Sequence, residues 1–200
     1  QSKEGHQYIG WLGVGLHLNI TLGRPVSHPQ QIRSLLSSEG RFRKHPEQLA
    51  KPLRAAEILT EYQNQIRVFR KIFGRLPTHL DTHHQVHDQP LFFEVLCKIA
   101  MKNRLPIRRS RLISSLRAKR SNLLLKPDCH VAPSGLLAMT PRSTDFIFGN
   151  LTVEGYWRKE PLETILKNLP QGTSEIMCHP GKNDATLRAQ IITLLTPQTP

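Results

Sequence analysis

The sequence is 200 residues long, 38% hydrophobic and 22% charged, which suits one soluble globular domain with a real apolar core and excludes a disordered chain. No apolar run approaches the roughly 20 residues of a membrane helix, and three scattered cysteines, Cys97, Cys129 and Cys178, exclude a disulfide framework and a CxxC metal site. The formal charge of +13, from 28 Lys and Arg against 15 Asp and Glu, is densest at residues 41–45 and 107–121, runs that lack the interleaved aromatics of a nucleic-acid platform.

Those basic runs read as a solvated face; a nucleic-acid-binding module rests on charge alone. The N-terminal "QSKEGHQYIG" has no signal-peptide layout and does not begin with Met. With three unclustered cysteines, the expectation is a reducing, cytoplasmic setting. In chain order, "YIGWLGVGLHLNIT" (8–21) alternates over Leu16, Leu18 and Ile20 and predicts a buried strand, with a loop at "LGRPVSHPQ". Next, "AAEILTEYQNQIRVFRKIFG" spaces Ile58, Tyr62, Ile66, Phe69 and Phe73 by threes and fours and stops at Gly74, an amphipathic helix with a glycine C-terminal signal. "PTHLD" predicts a short strand, residues 89–103 a second helix, and "PIRRS" and "TDFIFG" further strands. "EPLETILKNL" (160–169) is helical, and "SEIMCHP" is a last strand running into a loop. Strand and helix in alternation is the grammar of an α/β fold with a parallel sheet.

That grammar gives a place to the unusual stretch "THLDTHHQVHDQP" (78–90), with four histidines and two aspartates in thirteen residues. In parallel α/β folds, functional groups collect where loops leave the C-terminal ends of strands. His17 sits late in the first predicted strand, His83 just past "THLD", and His179 just past "EIM". A lone histidine usually satisfies a backbone group. Three at separate strand ends point to coordination or catalysis, because neutral imidazole is the commonest metal ligand at physiological pH. His83 and His87 are four apart, as in a helical metal pair, while His83, Gln85 and His87 alternate as on a strand. The spacing fits both.

Taken together, these fragments resemble those of the YdjC/ChbG-type carbohydrate deacetylases, a family that also includes the hopanoid-associated HpnK proteins. "GLHLNITLGRPV" is similar to the family's glycine–x–His–x–Asn segment with its following Gly-x-Pro-Val, and "PTHLDTHHQVHDQP" to its Pro-x-His-x-Asp-x-His-x-His segment. "IRRSR" falls where the family has an Arg after the next strand. "TDFIFGNL" and "SEIMCHPGKND" fall at its late Asp-x-Phe and Glu-x-Met-x-His-Pro-Gly elements. The order and approximate spacing agree over residues 13–195.

The resemblance implies a distorted (β/α) barrel of the polysaccharide-deacetylase-like type and removal of an acetyl group from an N-acetylated sugar or oligosaccharide with a divalent metal, Mg or Zn. It implies His17 and His83 as metal ligands and His179 as the catalytic acid. Asp81, His87 and Arg108 are expected to bind substrate or to support the ligands from behind. The chain departs from the family pattern in having no Asp-Asp pair, which in the family follows the first strand and supplies a carboxylate ligand and the base, and in having Gln85 where a histidine is common. The expectation is therefore a single incomplete domain over 1–200, lacking the first strand of the barrel and holding metal weakly. An inactive sugar- or metal-binding remnant is the alternative. No membrane partner is expected, and a homodimer is left open.

Overall fold

Asn19 decides where the first strand ends. Its side-chain carbonyl accepts hydrogen bonds from the N–H groups of Thr21 (3.0 Å) and Leu22 (3.1 Å), a local turn that competes with any further ladder. Strand β1 is accordingly only Leu16–Leu18, although Leu18 and Ile20 are both buried as the alternation predicted. The computed structural model describes residues 12–43, 53–108, 110, 141–148 and 159–177, so residues 8–11 of the expected strand lie outside the described residues. The chain divides into two compact units, Gln1–Ser143 and Thr144–Pro200.

In the first unit β1 runs parallel to β2, Leu80–Thr82, with His17 opposite Asp81. Helix α1, Ala55–Phe73, connects them and closes a strand–helix–strand unit. It buries Ile58, Tyr62, Ile66 and Phe69 along one stripe and ends at Gly74, whose φ of 68° is the left-handed cap that the sequence signals. Helix α2, Pro90–Asn103, begins on its proline and buries seven residues from Phe92 to Ala100. Both helices pack into one apolar core with Leu18, Ile20, Leu80 and Ile107. The strand expected at "PIRRS" is a single parallel bridge, Leu80 to Ile107. It is held by the Leu80 N–H donating to Pro106 (3.0 Å) and the Arg108 N–H donating to Leu80 (2.9 Å). Pro106 has no N–H to donate, which limits the ladder there.

The second unit contains β3, Phe146–Phe148, α3, Lys159–Lys167, and β4, Ser174–Ile176. Strands β3 and β4 are parallel, with Ile147 opposite Glu175. The architecture is mixed α/β with parallel strands. Among the described residues no helix is long and apolar enough to cross a membrane.

Candidate functional site

The register of β1 on β2 creates the site. His17 and Asp81 are direct cross-strand partners, and residues two apart on a strand share a face. The His17 Nδ1–H donates to Asp81 Oδ2 at 2.8 Å, and the Arg108 guanidinium reaches the same oxygen at 2.7 Å. Asp81 and Arg108 keep only 11% and 16% of their side-chain exposure, whereas His17 keeps 51%. The ion pair is thus the buried root of the site and His17 its accessible tip. Burial pushes the Asp81 carboxyl up, but the hydrogen bond from His17 and the charges of His17, Arg108 and His79 outweigh it and hold the group below the usual carboxylate range. An ionised Asp81 holds a proton on Nδ1 of His17, the tautomer that leaves Nε2 as an acceptor.

That nitrogen faces His83. His17 Nε2 and His83 Nδ1 lie 3.2 Å apart, with the two rings nearly perpendicular. Burial, then the neighbouring His84 and His17, push the His83 imidazole down to about 4, against an opposing pull from Asp81. His83 is therefore neutral near pH 7, and a cation between the two rings would satisfy both nitrogens. The gap is close to the roughly 3.3 Å that separates two nitrogens each about 2.0–2.1 Å from one tetrahedral ion. The other His83 nitrogen, Nε2, is buried without a hydrogen-bond partner. The pair fits a metal that accepts imidazole. Among the described residues no group of three or more His, Cys, Asp or Glu side chains is disposed to hold an ion.

A strained turn aims His83. The segment His83–Asp88 is a 3-10 turn interrupted at His84 (φ 53°, ψ 21°) and Gln85 (φ 46°, ψ 38°). Two consecutive non-glycine residues in the left-handed region are costly and persist only where the surroundings enforce them. The turn explains why neither spacing pattern describes His83 and His87. His84 stacks on His83, ring centroids 4.0 Å apart. His87 is fully buried, with its Nδ1 on the Thr82 hydroxyl at 2.5 Å and its carbonyl accepting from the Ser110 hydroxyl at 3.0 Å. Of the two roles expected of His87, its position fits support from behind and not contact with substrate.

Helix α1 fixes the other half. Gln65 donates to the Asn19 carbonyl (2.6 Å) and accepts from the Asn19 N–H (2.9 Å), clasping the backbone two residues after His17. The structure thus brings His17, His83, Asp81 and Arg108 together and turns His87 beneath them. His179 lies outside the described residues. Sequence reasoning missed Gln65, Ser110, Gly15 and His79. The last two could have been found from the strand period, since each lies two residues before a residue of the site.

The described fold is a parallel α/β protein whose first two strands bring a carboxylate-backed imidazole pair together. The chain belongs to the YdjC-like protein family, whose model matches residues 2–198. It is similar to a carbohydrate deacetylase of Clostridium beijerinckii, 33% identical over 181 residues that cover 88% of this chain and 62% of the relative. It is also similar to a chitooligosaccharide deacetylase of Serratia marcescens, 33% identical over 189 residues that cover 90% and 65%. The chain therefore spans less than two thirds of the length of these curated relatives. Among solved structures, a protein from Enterococcus faecalis named for cellobiose-phosphate cleavage matches with a TM-score of 0.68 at 23% identity, covering 98% of this chain and 74% of that one. That likeness speaks for the fold.

Proposed function

We propose that this chain carries the core of a carbohydrate deacetylase site, which hydrolyses the N-acetyl group of an N-acetylated sugar or oligosaccharide with a divalent metal, on a distorted (β/α) barrel. The observation that carries the reading is the 3.2 Å approach of His17 to His83, with the remote nitrogen of His17 tied to Asp81. The names of the relatives in Clostridium beijerinckii and Serratia marcescens support it independently. His17 and His83 would hold the ion. Two imidazoles favour zinc over magnesium, which prefers oxygen ligands. When bound, such an ion supplies a Lewis acid for the amide carbonyl and an acidified water at neutral pH.

The chain's own residues would orient the ligands and supply the proton for the leaving group. The hydrogen bond from His17, with Arg108 behind it, keeps Asp81 ionised, and Asp81 holds the proton on Nδ1 of His17, so that Nε2 keeps its lone pair. His83 stays neutral at working pH because its imidazole is pushed down to about 4. The departing amine needs a proton, and His179 is the proposed donor, since an imidazole titrating near neutrality suits that task. Cys97 takes no part: burial pushes its thiol up to about 12.

Acetate release from an N-acetylated chitooligosaccharide tests the proposal. The full chain should release acetate when supplied with zinc and stop when a chelator is added. His179→Ala should keep its metal and lose about 10²–10⁴-fold in rate, the usual worth of a general acid. A chain that holds zinc at the pair but releases no acetate would leave a sugar- or metal-binding protein in place of the enzyme.

A further inference from the structure

His79 takes no part in the chemistry proposed above, yet the sheet makes a place for it. The pairing of Leu16 with Leu80 sets Gly15 opposite His79, and the Leu16 N–H donates to the His79 carbonyl at 3.0 Å. By the strand period His79 shares a face with Asp81, and Gly15 with His17. A Cβ on Gly15 would lie 2.2 Å from His79 Nε2, 2.5 Å from Cε1 and 2.6 Å from Cδ2. The two carbons flanking Nε2 are barely farther than Nε2 itself, which puts that absent methyl over the plane of the ring and not at its edge. The imidazole therefore lies flat on the Gly15 backbone, and glycine is the residue that permits it. The Thr78 hydroxyl, 3.0 Å from Nδ1, fixes the rotation of the ring. His79 is exposed, and its charge is felt at Asp81 together with those of His17 and Arg108.

A flat ring with one face on backbone, on an exposed residue beside the His17–His83 pair, is a platform. A pyranose has a complementary surface, because its axial C–H groups form an apolar face that packs on a π-system. A histidine kept only for stability would bury the ring. We propose that His79, laid on Gly15, forms the floor of a sugar subsite beside the His17–His83 pair and takes the C–H face of a pyranose ring. The inference rests on the deacetylase reading and adds to it the residue that places the sugar.

The test uses the full, zinc-loaded chain with di-N-acetylchitobiose as substrate and its deacetylated product as a calorimetric ligand. His79→Ala should raise KM and weaken product binding by about three- to tenfold, the worth of one ring contact, with a smaller effect on kcat and with zinc content and melting temperature unmoved. His79→Phe, which keeps a flat ring, should restore most of the affinity. Gly15→Ala, which lifts the ring, should reproduce the loss, and the double variant should be no worse than His79→Ala, because both changes remove one contact. Unchanged affinity in His79→Ala beside an active wild type would overturn the inference and leave the deacetylase reading intact. A loss that tracks zinc content or melting temperature would overturn it too, making His79 structural. A wild type that neither binds the sugar nor releases acetate would sink both.

Discussion

His83 joins the strain, the electrostatics and the proposed chemistry of the site. Its ring is aimed by two left-handed residues, pressed by the stacked His84, and left with a buried Nε2. Burial, then the neighbouring His84 and His17, disfavour the protonated form, and the consequence is a stability that depends on pH. The folded imidazole is pushed down to about 4 from an ordinary 6.5, so between those values the unfolded chain takes up a proton that the folded chain refuses. Stability is then fully present above about pH 6.5 and is lost as pH falls toward 4. Asp81, also held below its ordinary range, acts in the same direction: its contribution is lost as pH falls below the usual carboxylate value. Thermal unfolding in the presence of a chelator, from pH 7.5 to pH 4, should show the melting temperature falling across that window, and His83→Gln should make the fall shallower. Identical pH profiles for the two proteins would show that His83 titrates freely.

The polar side of α1 behaves as a second core. Glu61 is fully buried and accepts hydrogen bonds from the N–H groups of Val26 (3.0 Å) and Ser27 (2.9 Å) and from Gln65 (2.8 Å). Glu57 accepts from the Ser34 N–H at 2.6 Å, and Asn64 donates to the Ser27 hydroxyl at 2.8 Å. These residues fasten the segment after β1 onto the helix, and Gln65 extends the same fastening to Asn19 beside the site. Glu61→Ala would strand the buried Ser27 N–H and the part-buried Val26 N–H and should cost about 1–3 kcal/mol in chemical denaturation, whereas a change below about 0.5 kcal/mol would show that the segment stays docked without it. The apolar stripe of α1, its Gly74 stop and the short strand at Leu80–Thr82 were legible because periodicity and a left-handed cap are local signals. The clamp was not, because Glu57, Glu61, Asn64 and Gln65 look in sequence like an ordinary solvated face. The turn at His84 and Gln85 was equally hidden, since neither residue favours the left-handed region and only tertiary contacts impose it. Convergence of His17 and His83 was readable from strand-end logic. The inward turn of His87 toward Thr82 and Ser110 was not, because Ser110 is distant in sequence.

At the scale of the molecule, the +13 charge has a use that composition alone concealed. Arg108, first in the densest basic run, is turned inward against Asp81, so part of that run belongs to the site and not to a solvated surface. The parallel pairing of the first two strands is what places His17 against Asp81 and brings His83 beside it. The central claim is that His17 and His83 share one divalent ion. Calorimetric titration of zinc into the full chain and into His17→Ala and His83→Ala tests it most directly. The account predicts one equivalent bound by the wild type and none by either variant, with Asp81→Asn weakening binding about 10–100-fold through loss of the carboxylate behind His17. Zinc binding of undiminished affinity in His83→Ala would contradict it.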